Sequence, residues 1–240
     1  MRRTLATNPM LNGAPRAIKA HLTAKVVNHI RAKIEDGSLQ PGDKLPPERE
    51  FAKALRVSRT SLRTGIAYLA AAGVMKVHHG VGSFVANYPS QISQAFLGFP
   101  SPLHRFNPAQ IFEARWLFES KLAGLAAQRG KQEHLTILAD EIGNMYATVD
   151  DPALYLIHDV RFHRTIAEAA DNPIFTALMD TISTALYDDR QRSAEQSQNR
   201  KNALEAYREI YRAIRERNPA EARAAMERYL QSAATARRCT

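Results

Sequence analysis

The residues whose types and spacing could do chemistry are densest between positions 58 and 63. Ser58, Arg59, Thr60, Ser61 and Arg63 open a stretch in which Leu62, Ile66 and Leu69 recur at i, i+4 and i+7. That period predicts a helix whose apolar stripe faces a core, with Thr60 and Arg63 projecting away from it. Ser58 is placed as the N-cap, and the free N–H groups of a first helical turn, joined by the Ser58, Thr60 and Ser61 hydroxyls, suit a phosphate. An arginine at the leading edge of such a helix reaches guanine O6 and N7 with two bonds, the commonest specific base contact. Arginines also decorate ordinary solvated helices, so the patch has to be weighed with the elements that would position it.

Those elements are legible. "LTAKVVNHIRAKIEDG" carries Leu22, Val26, Val27, Ile30 and Ile34 at helical spacing and ends at Gly37. "PPEREFAKAL" is a short helix with Pro47 near its start, and Gly73 closes the helix that Ser58 opens. "VMKVHHGVGSFVA" is two short β runs around a Gly-x-Gly turn. Three helices and a small hairpin in this order predict a winged helix-turn-helix, in which the third helix enters the major groove.

Charge divides the chain at the same place. Residues 1–90 hold 14 of the 33 basic residues and 5 of the 24 acidic ones, so the whole excess of +9 lies there and the remainder is balanced. A basic unit joined to a neutral one points the first toward a polyanion. Seven of the 11 glycines also lie in residues 1–90, which predicts a helical remainder. Hydrophobic content of 45% excludes a disordered chain. No apolar run approaches the ~18 residues of a membrane helix, and the start "MRRTLATNPM" lacks the apolar region of a secretory signal. Cys239 is the one cysteine, so a disulfide framework is excluded and a cytoplasmic location is expected.

Beyond residue 107 one dipeptide type punctuates the sequence. Asn107-Pro108, Asp151-Pro152, Asn172-Pro173 and Asn218-Pro219 each read as N-cap followed by Pro at N1. Helices are predicted near 108–129, 152–170, 173–192 and 219–236, with two more from "KQEHLTILADEIGNMYATV" and "AEQSQNRKNALEAYREIYRAIRER". The fold class expected is mainly α. An N-terminal arm spans 1–20, a winged helix-turn-helix 21–88, a proline-rich linker 89–107, and an all-α bundle of six to seven helices 108–237.

The N-terminal stretch "GDKLPPEREFAKALRVSRTSLRTGIAYLAAAGVMKVHHGVGSFV" resembles the DNA-binding domain of the GntR family of bacterial transcription regulators. The family's segments stand here as "PGDKLPPERE", "VSRTSLRTGI", "LAAAGVM" and "HGVGSFV". The resemblance implies DNA contacts from Arg49, Arg59 and Arg63 and from His79 and Gly80 at the wing tip, with Ser58, Thr60 and Ser61 supplying hydroxyls. Gly65 stands where the family usually has Ala, a helix weakening of about 1 kcal/mol at most with no expected functional consequence.

"IFEARWLFESKLAGLAAQRG" and "DVRFHRTIAEAADNP" are similar to the FadR branch of that family, whose effector domain is the helical bundle called FCD. In many FCD domains an Asp and three His hold a divalent metal on which a carboxylate ligand docks. The first pair is Asp159 and His163, four apart on a face that also carries Leu156, Val160, Ile166 and Ala167. That face turns the pair into the bundle, where it needs partners. The positions of the other two ligands are Tyr207 and Tyr229, and a phenol is a poor ligand at neutral pH. At most a weakly held zinc, nickel or manganese at Asp159 and His163 is therefore expected. In the functional reading Tyr207 and Tyr229 donate to a small anionic effector that Asp159 and His163 also touch, and Arg115, in the family's "EVR" position, pairs its carboxylate. In the plainer reading both tyrosines are packing, Tyr207 within the stripe of Leu204, Tyr211 and Ile214.

These readings converge on a cytoplasmic, ligand-responsive repressor that binds a double-stranded DNA operator as a homodimer, with no enzyme activity and no membrane contact. Two other functions compete. One is a metal-dependent helical-bundle enzyme fused to a DNA-targeting domain, against which the sequence shows no Ser-His-Asp set, phosphate loop or complete metal set. The other is a DNA-binding protein with a non-functional sensor bundle.

Overall fold

The computed structural model describes residues 14–86 and 108–238. The expected linker and the Asn107 cap lie outside the described residues. Helices α1 (Ala14–Glu35), α2 (Glu48–Leu55) and α3 (Arg59–Ala71) precede strands β1 (Met75–His78) and β2 (Gly82–Val85). α1 begins inside the segment expected to be an arm. Its Val26, Val27 and Ile30 are fully buried, as are Leu62 and Leu69 of α3. Each such side chain contributes about 1.5–3 kcal/mol by leaving water, and together they bind α1 to α3.

The ends of α3 are set by local chemistry. The Ser58 hydroxyl accepts from the Ser61 N–H at 3.0 Å, an N-cap. At the other end Gly73 takes φ +71°, while its N–H donates to Ala70 O at 3.0 Å and the Val74 N–H to Leu69 O at 2.8 Å. This is a Schellman motif, and it delivers the chain straight into β1. The strands pair antiparallel with Met75 opposite Val85 and His78 opposite Gly82.

Seven helices follow: α4 (Pro108–Arg129), α5 (Gln132–Ala147), α6 (Pro152–Ala169), α7 (Pro173–Ala185), α8 (Tyr187–Glu195), α9 (Ser197–Arg215) and α10 (Pro219–Arg238). Asp151 caps α6 through the Ala153 and Leu154 N–H groups, and Asn172 and Asn218 accept from Ile174 and Glu221. The helix expected over 173–192 is two helices. Leu186, with φ −93° and ψ 12°, breaks it without a proline or glycine to mark the place. The break turns Tyr187, Arg190 and Ala194 into the protein interior. α6 is the central element, packed against α4, α5, α7 and α8 and also against α3.

Gly65 has a purpose that helix propensity does not reveal. A Cβ there would fall 2.7 Å from Val26 Cγ1 and 2.9 Å from Val26 Cβ. The missing side chain lets α1 and α3 approach closely, and Val26 is a stiff, β-branched neighbour. Gly65→Ala gains about 1 kcal/mol of helix propensity but overpacks the seam, at a cost of about 1–3 kcal/mol. A lower thermal midpoint is expected in differential scanning fluorimetry. A midpoint at or above wild type would show that the close approach is dispensable.

Candidate functional site

On the outer face of α3, Arg59 and Arg63 have side chains 64% and 63% exposed. Both lean on Glu48 at the start of α2: Arg63 Nε donates to Glu48 Oε2 at 2.8 Å, and Arg59 Nη2 lies 3.9 Å from it. An exposed pair of this kind contributes at most about 1 kcal/mol, so it positions the guanidinium groups without holding them from another partner. Arg49, Ser58 and Thr60 are exposed alongside. Ser61 is not: it is 1% exposed, and its hydroxyl lies 3.0 Å from that of Ser58. The expectation that Ser61 meets DNA is corrected here, because its hydroxyl belongs to the cap. His79 and Gly80 form the exposed tip of the hairpin, with Gly80 at φ +75° and open space around it. Lys44 reinforces the wing, its backbone bridged to Phe84 and its Nζ 5.7 Å from the ring centre.

The second constellation lies inside the bundle. Asp159 and His163 on α6 are buried, as are Tyr207 of α9 and Arg115 of α4. The Tyr207 hydroxyl donates to Asp159 Oδ1 and lies 2.6 Å from the Tyr229 hydroxyl and 3.5 Å from His163 Nε2. The five residues singled out by the sequence are therefore neighbours. Two further ones were missed. Glu119, one helical turn after Arg115, accepts from its Nε at 2.6 Å and lies 2.9 Å from His163 Nδ1. Arg190 of α8, 5% exposed, donates from Nη1 to Asp159 Oδ2 at 2.6 Å. The i, i+4 spacing could have signalled Glu119. Arg190 sits in "YDDRQRSAE", which reads as a solvated helix, and only the break at Leu186 turns it inward.

The electrostatics are those of paired buried charges. Burial raises the Asp159 carboxyl, but Arg190, His163 and the Tyr207 hydrogen bond outweigh it and hold the group below its usual value. Glu119 is likewise raised by burial and pulled well below by Arg115, His163 and Arg190. Burial and the Asp159 charge push Tyr229 up to about 12 and Tyr207 well above the ordinary phenol value, so both keep their protons.

This arrangement bears on two expectations. Glu119 engages Nε and Nη2 of Arg115, which leaves the remaining N–H groups of this cavity-lining residue for an effector carboxylate. The donor set does not fit a divalent metal: both Asp159 oxygens are taken, by Tyr207 and by Arg190, and no three His, Cys, Asp or Glu side chains converge among the described residues. A cavity of about 40 Å³ remains beside the cluster, bordered by Arg115, Asp159, Arg190, Arg200 and Tyr229. Tyr207 and His163 stand behind that wall.

A buried seam joins the two constellations. Tyr68, near the end of α3, donates its hydroxyl to Ser183 O at 2.6 Å and meets the Tyr187 ring edge-on at 4.5 Å between centres. The turn after α3 lies against Asp180, whose Oδ2 would be 2.2 Å from a Cβ at Gly73. Arg164 Nε donates to Asp180 Oδ1 at 2.8 Å.

Two regions match known families. Residues 22–85 match that described as "Bacterial regulatory proteins, gntR family", and residues 110–232 match "FCD domain". The "HTH-type transcriptional repressor NanR" of Klebsiella aerogenes is 29% identical over 221 residues, covering 88% of this chain and 83% of its own. The "HTH-type transcriptional regulator LutR" of Bacillus subtilis is 29% identical, over 82% of this chain and 92% of its own. The solved structure "Streptococcus agalactiae GntR" is 28% identical, with a TM-score of 0.51, over 89% of this chain and 99% of that one.

The seam carries a pH signature. Burial pushes the Asp180 carboxyl up to about 7 against the pull of Arg164, from an ordinary value of 3.8. The folded state thus keeps a proton that the unfolded state has already lost, so this group's contribution falls as pH rises from 3.8 to about 7 and is level above. The thermal midpoint of the wild type minus that of Asp180→Asn should decline across that window. A pH-independent difference would contradict the assignment.

Proposed function

This chain belongs to the gntR family of bacterial regulatory proteins and carries an FCD domain, and we propose from that premise that it is a ligand-responsive transcription repressor. The N-terminal unit binds a double-stranded DNA operator, with α3 in the major groove and the hairpin tip over the flanking backbone. Arg59 and Arg63 read base edges, while Arg49, Ser58, Thr60, His79 and Gly80 position the unit on the duplex. A small anionic effector enters the bundle cavity beside Asp159 and Tyr229. The observation that carries the reading is the seam: Tyr68 of the recognition helix rests on Tyr187 of α8, and α8 also borders the cavity through Arg190.

Repression is supported by the name of the Klebsiella aerogenes relative, a transcriptional repressor. One winged unit reads few base pairs, so two copies on paired half-sites would supply the specificity an operator needs. Work on an operator fits a cytoplasmic location; separately, no helix among the described residues is long and apolar enough to cross a membrane. The relatives are named for control of transcription, which favours a regulator over an enzyme. The metal-dependent enzyme reading is further weakened by the engagement of both Asp159 oxygens, and the cavity speaks against a bundle without a sensing role.

If α3 reads bases, Arg59→Ala and Arg63→Ala should each weaken binding to the selected operator by about 1–3 kcal/mol, measured by fluorescence anisotropy against a scrambled duplex. Wild-type discrimination in the double variant would contradict base readout by this helix.

A further inference from the structure

Acidic residues are scarce in the basic unit, 5 in residues 1–90, yet one of them stands against the arginines of the outer face of α3. Glu48 lies in the first turn of α2, with its side chain 37% exposed. A carboxylate there lowers the attraction of the surface for phosphates, and an exposed ion pair adds little to folding. Stability therefore does not account for it. Both contacts converge on one oxygen, Glu48 Oε2. Arg63 donates to it from Nε at 2.8 Å, and Arg59 Nη2 lies 3.9 Å away, drawn by charge but beyond hydrogen-bond reach. The bond to Nε fixes one side of the Arg63 guanidinium. Its Nη1 and Nη2 groups have no acceptor among the described residues, so the end of the fork stays open. Guanine O6 and N7 match two such N–H groups. An untethered arginine samples many rotamers, and on DNA of any sequence its commonest partner is a phosphate.

We propose that Glu48 is a specificity-determining positioning residue of the DNA interface: it holds Arg63 for end-on readout of guanine, draws Arg59 alongside, and biases both against phosphates. This rests on the reading of α3 as the helix that meets the operator, and adds a carboxylate that weakens binding to every other sequence. On the operator, Arg63 keeps its bond to Glu48 and gains two to guanine. On other DNA that bond must break, or the carboxylate must approach the backbone with its charge unmatched, before the arginines reach phosphate oxygens. Specificity is a difference of affinities, and a repulsive group raises it without strengthening the correct complex. Preorganisation acts in the same direction, because the side-chain freedom lost on reading a base is already restricted.

The test is fluorescence anisotropy on the full chain over a range of salt concentrations, with an operator selected from a random duplex pool and a scrambled duplex of equal length. Glu48→Gln keeps the shape of the side chain and removes its charge. It is expected to bind the scrambled duplex more tightly, with a log–log salt slope steeper by about 1, the mark of an added phosphate contact. The ratio of operator to scrambled affinity should drop about threefold or more, the scale of one exposed ion pair. Glu50→Gln removes the same charge from the same helical turn, at an exposed position, and should move both affinities together and leave the ratio unchanged. In the Arg59→Ala, Arg63→Ala background, Glu48→Gln should no longer change the ratio. An unchanged ratio in Glu48→Gln, an equal drop in Glu50→Gln, or a drop that persists without the two arginines would overturn the proposal. A wild type that binds both duplexes alike defeats the reading of α3 as the operator-reading helix. A wild type that discriminates, with Glu48→Gln discriminating equally, defeats this inference alone.

Discussion

Glu119 and Asp159 are carboxylates held away from water, and the bundle is organised around keeping them charged. A buried charge that loses its partner costs about 3–5 kcal/mol, a large share of any domain's stability. The partners come from different helices: Arg115 on the same α4 as Glu119, His163 on α6, Arg190 on α8 and the Tyr207 hydroxyl on α9. Their convergence restricts the register of four helices more tightly than apolar packing alone, which tolerates slippage of similar side chains. It also explains why α8 departs from the line of α7. A continuous helix through 186 would carry Arg190 elsewhere and leave Asp159 with a phenol as its main partner.

The same short helix links interior and exterior. Tyr187 and Arg190 are one turn apart on α8, the first against Tyr68 of the recognition helix and the second against the cavity. In the function proposed above, a ligand in the cavity beside Arg190 would bias the position of α8 against α3. Coupling between sites requires such an element with contacts to both, and a differential interaction with each ligand to bias it. α6 supplies the fixed frame against which the shift is made, since it packs on α3 as well as on four helices of the bundle.

Most of the architecture was legible in the sequence because it follows local rules. Asp-Pro and Asn-Pro pairs announced helix starts, Ser58 and Gly73 bounded α3, and the Gly-x-Gly turn marked the hairpin. The outward arginines followed from the position of Leu62, Ile66 and Leu69. Three features were hidden, each for a physical reason. The break at Leu186 involves no residue with a special backbone preference. Arg190 and Glu119 are charged residues in the interior, and a sequence pattern assigns charge to the surface unless tertiary pairing overrides it. Gly65 looked like a weakened helix position, because the neighbour that requires it, Val26, is 39 positions earlier in the chain. The Ser61 hydroxyl, by contrast, lies against the Ser58 cap and is buried, because a cap draws in the polar groups around it.

The central claim is that the buried cluster and the recognition helix act as one device joined at Tyr68 and α8. The direct measurement is the effect of the best-bound small acid on operator affinity in Tyr68→Phe, which removes the bond to Ser183 while sparing the cavity and the DNA face. The account predicts that the acid still binds with wild-type affinity but that its effect on operator affinity is lost or strongly reduced. An acid response equal to that of the wild type would contradict it, because the signal would then travel without this contact.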